Sequence, residues 1–154
     1  MKAITFGISP ISPTSEPCSK TTVYDCSLLE LPRIANRAGN ITVLESNANC
    51  PFSIERAFYL YDVPGGACRG GHAHRQLQQI IIAASGSFDI LLDDGRNRRT
   101  TFLNRPYYGL YIPAGIWAEL HNFSSGSICL VLASEKYDEQ DYFRDRQQYD
   151  SWKR

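Results

Sequence analysis

The sequence predicts an all-β domain, a sandwich or barrel, and three observations carry that prediction. Short β-prone runs recur at roughly 8 to 12 residue spacing, no helical period appears among them, and tight-turn signals punctuate them at Ser85-Gly86, Asp93-Asp94-Gly95 and Ser124-Ser125-Gly126-Ser127. In chain order, residues 1–22 hold Gly7, Pro10, Pro13 and Pro17 and read as a flexible leader. Val23 to Leu31 alternates at about period two until Pro32, and Gly39-Asn40 introduces a second strand expected at Ile41 to Glu45. Ala57 to Asp62 is an aromatic strand closed by Val63-Pro64-Gly65-Gly66. His72 to Ala84 ends in the apolar run Ile80 to Ala84, and Ser87 to Leu92 alternates up to the Asp-Asp-Gly hairpin signal. Arg99 to Leu103, Gly109 to Ile112, Trp117 to Phe123 and Ile128 to Ala133 complete the series. Only Asp138 to Lys153 reads as helical, with Tyr142, Phe143, Arg146 and Tyr149 at spacings of three and four, packing on the outside.

Composition bounds the function. The chain has 154 residues, 43% of them apolar, enough for one core, so a single domain is expected over residues 23–154. Sixteen basic and sixteen acidic residues cancel, and no stretch gathers Lys or Arg on one face, which argues against nucleic acid and membrane partners. The run Arg96-Asn97-Arg98-Arg99 is a solvated hairpin end. The opening residues lack the apolar core of a signal peptide. Five cysteines at irregular spacing, with no C-x-x-C pair, fit reduced thiols in a cytoplasm.

Two of the three histidines, His72 and His74, lie one residue apart within Arg69-Gly70-Gly71-His72-Ala73-His74. On a strand that spacing puts both on one face, either as metal ligands or as an acid/base pair. The surrounding sequence resembles the cupin family, a double-stranded β-helix or jelly-roll barrel. His72-x-His74 is followed by Gln79 and Gly86 in the register of the first cupin motif, and Pro113-Ala114-Gly115, Ala118 and Asn122 hold the register of the second. Metal-binding cupins use His, His, Glu and His, whereas Gln79 and Ala118 stand at the last two of those positions here. Two neutral imidazoles are a poor site for zinc or iron, which take three or four protein donors. His121, three residues from Ala118, falls on the opposite strand face. No metal and no cofactor are therefore expected.

A closer resemblance extends from Val23 to Trp152. Arg69 to His74, Leu91 to Gly95, Gly109 to Pro113, Trp117 to Gly126 and Leu130 to Glu139 look like the sugar 3,4-ketoisomerases of the WxcM-like cupin group, which act on thymidine-diphosphate-linked 4-keto-6-deoxyglucose. The resemblance implies a metal-independent barrel and a cytoplasmic homodimer with exchanged N-terminal strands. It also implies an isomerase step in deoxysugar biosynthesis, of the kind that feeds lipopolysaccharide O-antigen or glycoside assembly. Moving a ketone from C4 to C3 removes a proton at C3, passes through an enediol and returns a proton at C4, work that an imidazole suits at neutral pH. By the motif match, His74 is assigned the proton shuttle and His72 its partner at the sugar oxygens, though the residues alone leave the order open.

Other candidate positions each carry two readings. Tyr59 matches a tyrosine of the group and would donate to a ketone oxygen, or else pack in the core. Arg69 would meet the diphosphate, or form a surface ion pair. Gln79 would hydrogen-bond the sugar, or simply satisfy the barrel interior. Trp117 offers a flat face for a base or sugar, with a core role as the alternative. Glu119, on the parity of Trp117, needs a partner if it points inward. Arg37 stands where the early turn departs from the group's pattern, because Ala38 rather than Arg precedes Gly39. Ala118 is a second departure, since many members carry His or Arg there. Both touch the expected nucleotide-sugar region. The alternatives to an isomerase are a non-catalytic nucleotide-sugar-binding module and a metal cupin dioxygenase.

Overall fold

The structure is a computed structural model that describes residues 18–154. It contains strands β1 (Ser27–Glu30), β2 (Ile34–Asn36), β3 (Gly39–Ile41), β4 (Arg56–Leu60), β5 (Arg69–His74), β6 (Gln79–Ser85) and β7 (Phe88–Asp93). They are followed by β8 (Arg98–Leu103), β9 (Tyr108–Ile112), β10 (Trp117–His121), β11 (Ile128–Ala133), β12 (Tyr142–Phe143) and one helix, α1 (Arg146–Lys153). Two five-stranded antiparallel sheets run in the order β1-β9-β6-β11-β4 and β12-β5-β10-β7-β8, while β2 and β3 form a separate hairpin. This is the all-β sandwich or barrel that the strand spacing predicts, in the jelly-roll form that the cupin resemblance implies. Among the described residues no helix is long and apolar enough to cross a membrane.

The two large sheets face each other across a core that includes Val23, Ile81, Ala83, Phe88, Ile90, Leu92, Leu110 and Val131. Each sheet is also covered on its outer face. Ile80 and Ile82 turn away from the barrel and pack with Leu31, Cys50, Phe52 and Tyr111, which is why β6 reads as an unbroken apolar run instead of alternating. On the other sheet Ala73 and Trp117 lie under Phe143 and Tyr149. The Tyr149 hydroxyl shares its proton between the carbonyls of Asp93 and Gly115, at 2.9 and 3.0 Å, and accepts the Trp117 N–H at 3.3 Å. One aromatic residue thus ties the helix to two loops and a strand.

The Asp-Asp-Gly hairpin forms as expected and also anchors distant chain. Asp94 Oδ1 accepts the N–H groups of Arg96 and Asn97, and its Oδ2 accepts the N–H of Val23 at 2.9 Å. These donors hold the Asp94 carboxyl below its ordinary range despite burial.

Five local expectations change. The run expected from His72 to Ala84 divides into β5 and β6, which belong to different sheets. The leader expected over residues 1–22 lies outside the described residues up to position 17, but Cys18 to Thr22 is packed: the Thr21 hydroxyl joins the carbonyls of Cys18 and Ala114, each at 2.7 Å. Val23–Asp25 is a 3-10 turn capped by Thr22 instead of the start of a strand. Ile41 to Glu45 is not a strand beyond Ile41; Ile34–Asn36 and Gly39–Ile41 pair with each other around Arg37 and Ala38. The terminal helix covers only Arg146–Lys153, because Asp145 caps it there by accepting the Gln148 N–H at 3.0 Å. Tyr142 and Phe143 instead pair with His74 and Ala73 as an edge strand.

Candidate active site

Strand β5 builds the site by parity. Ala73 points outward to the helix, so His72 and His74 point inward together. The bend that starts the strand depends on glycine: Gly70 has φ +82°, and a Cβ there would sit 2.9 Å from the Ala118 carbonyl oxygen. That close approach coincides with a register shift between Ala118 and Glu119 on β10. It brings Ala118 directly opposite His72.

A cavity of about 170 Å³ opens between the sheets, lined among others by Phe58, Arg69, His72, Gln79, Ala118 and Tyr142. His72 is partly exposed to it, whereas His74 is only 4% exposed. The two imidazole centroids are 5.0 Å apart in an edge-to-face arrangement, and the Tyr142 ring lies 5.1 Å from His72 and 4.3 Å from His74. Burial, assisted by the neighbouring His74 and Arg144, pushes the His72 pKa down to about 4, so its ring is neutral at neutral pH.

His74 is held from behind. Its Nδ1 lies 3.1 Å from Oδ2 of Asp141, and that carboxylate also accepts the backbone N–H groups of Gln76 at 2.8 Å and Leu77 at 3.3 Å. These donors keep the Asp141 carboxyl below its usual range even though burial opposes it. An ionised Asp141 fixes the His74 ring orientation and favours a proton on Nδ1. At the cavity rim Arg144 lies over the Tyr142 ring at 4.3 Å and pairs through Nη2 with Glu139 at 3.0 Å. Tyr142 in turn accepts from Arg56 Nη2 at 3.2 Å.

The structure brings together His72, Arg69 and Gln79 on the cavity wall, with His74 immediately behind. It does not bring Tyr59, Trp117, Glu119 or Arg37 there. Tyr59 is 61% exposed on the outer face of β4 beside Tyr61, because Phe58 and Leu60 hold the inward positions. Trp117 is buried between Ala73 and Tyr149 under α1. Glu119 points outward and finds its partners there, the Trp117 Nε1–H at 2.9 Å and His121 Nε2 at 3.0 Å. Arg37 sits exposed in the β2–β3 turn. Sequence reasoning missed Asp141, Tyr142 and Arg144 by placing them on a helix. The signal was present: Asp145 three residues before Gln148 marks a helix start, which leaves the preceding residues free to form something else.

The donor set on this wall is short of the one a metal-binding cupin supplies. Gln79 and Ala118 face the cavity at the two positions where a metal-binding cupin supplies Glu and His. Among the described residues no group of three or more His, Cys, Asp or Glu side chains converges to hold an ion. The donors on this wall do not fit a metal.

Fold and site together define a jelly-roll of the cupin kind with an inward histidine pair, of which the buried member, His74, is backed by a carboxylate. Comparison with known proteins places it more narrowly. The family model described as FdtA: WxcM-like, C-terminal, matches residues 24–154, and the chain belongs to this family. It is 40% identical over 127 residues to the TDP-4-oxo-6-deoxy-alpha-D-glucose-3,4-oxoisomerase of Aneurinibacillus thermoaerophilus, spanning 82% of this chain and 89% of that protein. A crystal structure of a histidine-to-asparagine variant of the 3,4-ketoisomerase QdtA from Thermoanaerobacterium thermosaccharolyticum, in complex with TDP-4-keto-6-deoxyglucose, superposes with a TM-score of 0.82 at 36% identity, covering 84% of this chain and 94% of that one. The TDP-quinovose 3,4-ketoisomerase WlaRB of Campylobacter jejuni superposes with a TM-score of 0.79 at 43% identity, covering 82% and 97%.

Proposed function

We infer that this chain is a TDP-sugar 3,4-ketoisomerase that converts a 4-keto-6-deoxyhexose to its 3-keto isomer through an enediol. Family membership supports the activity. The observation that carries the chemistry is the pair of inward histidines, one lining the cavity and the other buried against Asp141.

The reaction needs a neutral base that reaches the sugar. His72 meets both requirements, since it lines the cavity and burial keeps its lone pair free at neutral pH. A bound diphosphate brings negative charge toward a ring otherwise surrounded by Arg144 and His74, and so raises its basicity in the complex. His74, oriented by Asp141, then supplies or relays the compensating proton. This order reverses the assignment made from the motif, because His74 is too deeply covered by Tyr142 to meet a sugar carbon first. Gln79 is placed to hydrogen-bond a sugar hydroxyl, and Arg69 with Arg144 gives the rim two guanidiniums for the diphosphate. No step requires a metal ion.

The proposed assembly is a cytoplasmic homodimer with exchanged N-terminal strands. Its support is the β2–β3 hairpin, which stands apart from both sheets and leaves Ile34 and Ile41 56% and 59% exposed. In such a dimer the hairpin would carry Arg37 toward a second copy, where it has a route to the nucleotide that its own chain does not offer.

Incubation with TDP-4-keto-6-deoxyglucose in deuterated water tests the reaction, with product read by NMR. A 3-keto product carrying deuterium at C4 is expected, with deuterium at C3 in recovered substrate if the enediol reverts. Binding with neither a 3-keto product nor deuterium incorporation would make the chain a nucleotide-sugar-binding module and overturn the proposal.

A further inference from the structure

Outside the cavity, the opposite face of β10 carries a second ordered chain of reactive groups. His121 accounts for both of its ring nitrogens: Nδ1 lies 3.0 Å from Sγ of Cys68, and Nε2 lies 3.0 Å from Oε2 of Glu119. Glu119 is fixed through its other oxygen, which accepts the Trp117 indole N–H at 2.9 Å. Trp117 is itself immobilised under α1. The order is therefore nucleophile, base, orienting carboxylate and anchor.

The imidazole uses its two nitrogens in opposite directions, toward sulfur and toward carboxylate, so the three side chains do not converge on a point where an ion could sit. That geometry is a proton relay. With Glu119 accepting from Nε2–H, Nδ1 is left as the acceptor for the Cys68 thiol proton. Arg146 lies over the Trp117 ring on this face, 5.4 Å from its centroid. Asp89 stands opposite His121 on β7 and is bonded to the Asn122 amide at 2.7 Å, which adds negative charge beside the ring. Arg69 follows Cys68 but turns to the cavity side.

Cys68 differs from the chain's other thiols in access as well. It is exposed, whereas Cys26, Cys50 and Cys129 are buried and Cys18 is partly covered. Burial pushes Cys26 and Cys129 up to about 12, which leaves them inert as nucleophiles.

We propose that Cys68, His121 and Glu119 form an activated thiol on the outer face of β10, a modification site that takes soft electrophiles and hydroperoxides at sulfur. With a hydroperoxide, the Cys68 thiolate attacks one peroxide oxygen, the S–O bond forms as the O–O bond breaks, and the departing oxygen takes the proton held on His121. Sulfur is oxidised by two electrons to the sulfenic acid, and the peroxide is reduced to an alcohol or water.

The test is iodoacetamide alkylation of the folded protein, with each cysteine quantified by peptide mass spectrometry at about pH 6, where an ordinary thiol of pKa about 8.5 is almost wholly protonated. Cys68 is expected to react at least about fivefold faster in the wild-type protein than in H121Q or in E119Q, while Cys26 and Cys129 remain unmodified and so report an intact barrel. A ratio below about fivefold in both variants would overturn the proposal. If H121Q loses its fold, shown by alkylation of Cys26 and Cys129, E119Q alone decides. In a second arm, hydrogen peroxide followed by dimedone tags Cys68 in the wild-type protein, and absence of that tag overturns the oxidation step.

Discussion

The neutral state of His72 has a measurable cost on acidification. In the unfolded chain a histidine titrates near pH 6.5, whereas burial in the cavity wall pushes His72 down to about 4. The unfolded state therefore binds the proton more tightly, and stability must fall as pH drops from about 6.5 toward about 4, with no further loss from this group below that. The gap corresponds to about 3 kcal/mol at about 1.4 kcal/mol per pH unit, and solvent screening of the partly exposed ring reduces it to about 1–2 kcal/mol. Urea unfolding midpoints of the wild-type protein and of H72N, followed from pH 7 to pH 4, measure it directly. The carboxyls held low by hydrogen bonds, Asp93, Asp94 and Asp141, lose their stabilisation on the acid side in both proteins and cancel in the difference. The wild-type curve should fall more steeply by about 1–2 kcal/mol over this window. Parallel curves would refute the claim that His72 is held neutral by its surroundings.

Three further outcomes follow from particular contacts. D141N keeps the shape of the side chain but weakens the charge behind His74, so kcat should drop about 10²-fold with KM little changed; steady-state assays showing wild-type kcat would remove Asp141 from the mechanism. Y149F orphans the carbonyls of Asp93 and Gly115 beneath the helix, and a loss of about 1–3 kcal/mol is expected in chemical denaturation. At Gly115, with φ +87°, an added Cβ would come within 2.0 Å of the Cys18 carbonyl oxygen; G115A should lower stability by about 2 kcal/mol or more, measured as a depressed thermal midpoint.

How far the sequence anticipates this structure depends on whether a signal was local. Alternation and turn chemistry are local, and they located β4 and β7 through β11 to within a residue or two, whereas β5 and β6 read as one run from His72 to Ala84. The parity rule then put His72 and His74 on one face, and it put His121 on the face away from Ala118. Parity alone does not say which face is inward, so Tyr59, Trp117 and Glu119 could all stand as candidates. Tyr142 and Phe143 were misread because an edge strand of two residues leaves no period to detect, while their spacing to Arg146 and Tyr149 imitates a helix. The Asp141 contact to His74 joins residues 67 positions apart, and no local pattern announces it.

Strand order in the sheets bears on how activity is acquired. The histidine strand β5 is flanked by β10 and β12, both remote from it in sequence, and β1 must wait for β9. Each pairing closes a long loop, so the barrel is expected to assemble slowly and in a concerted manner. No hairpin of the chain contains a cavity wall, a general base and its supporting carboxylate at once. Recovery of turnover during refolding thus reports completion of the entire barrel, and a partially assembled chain has no partial activity to offer.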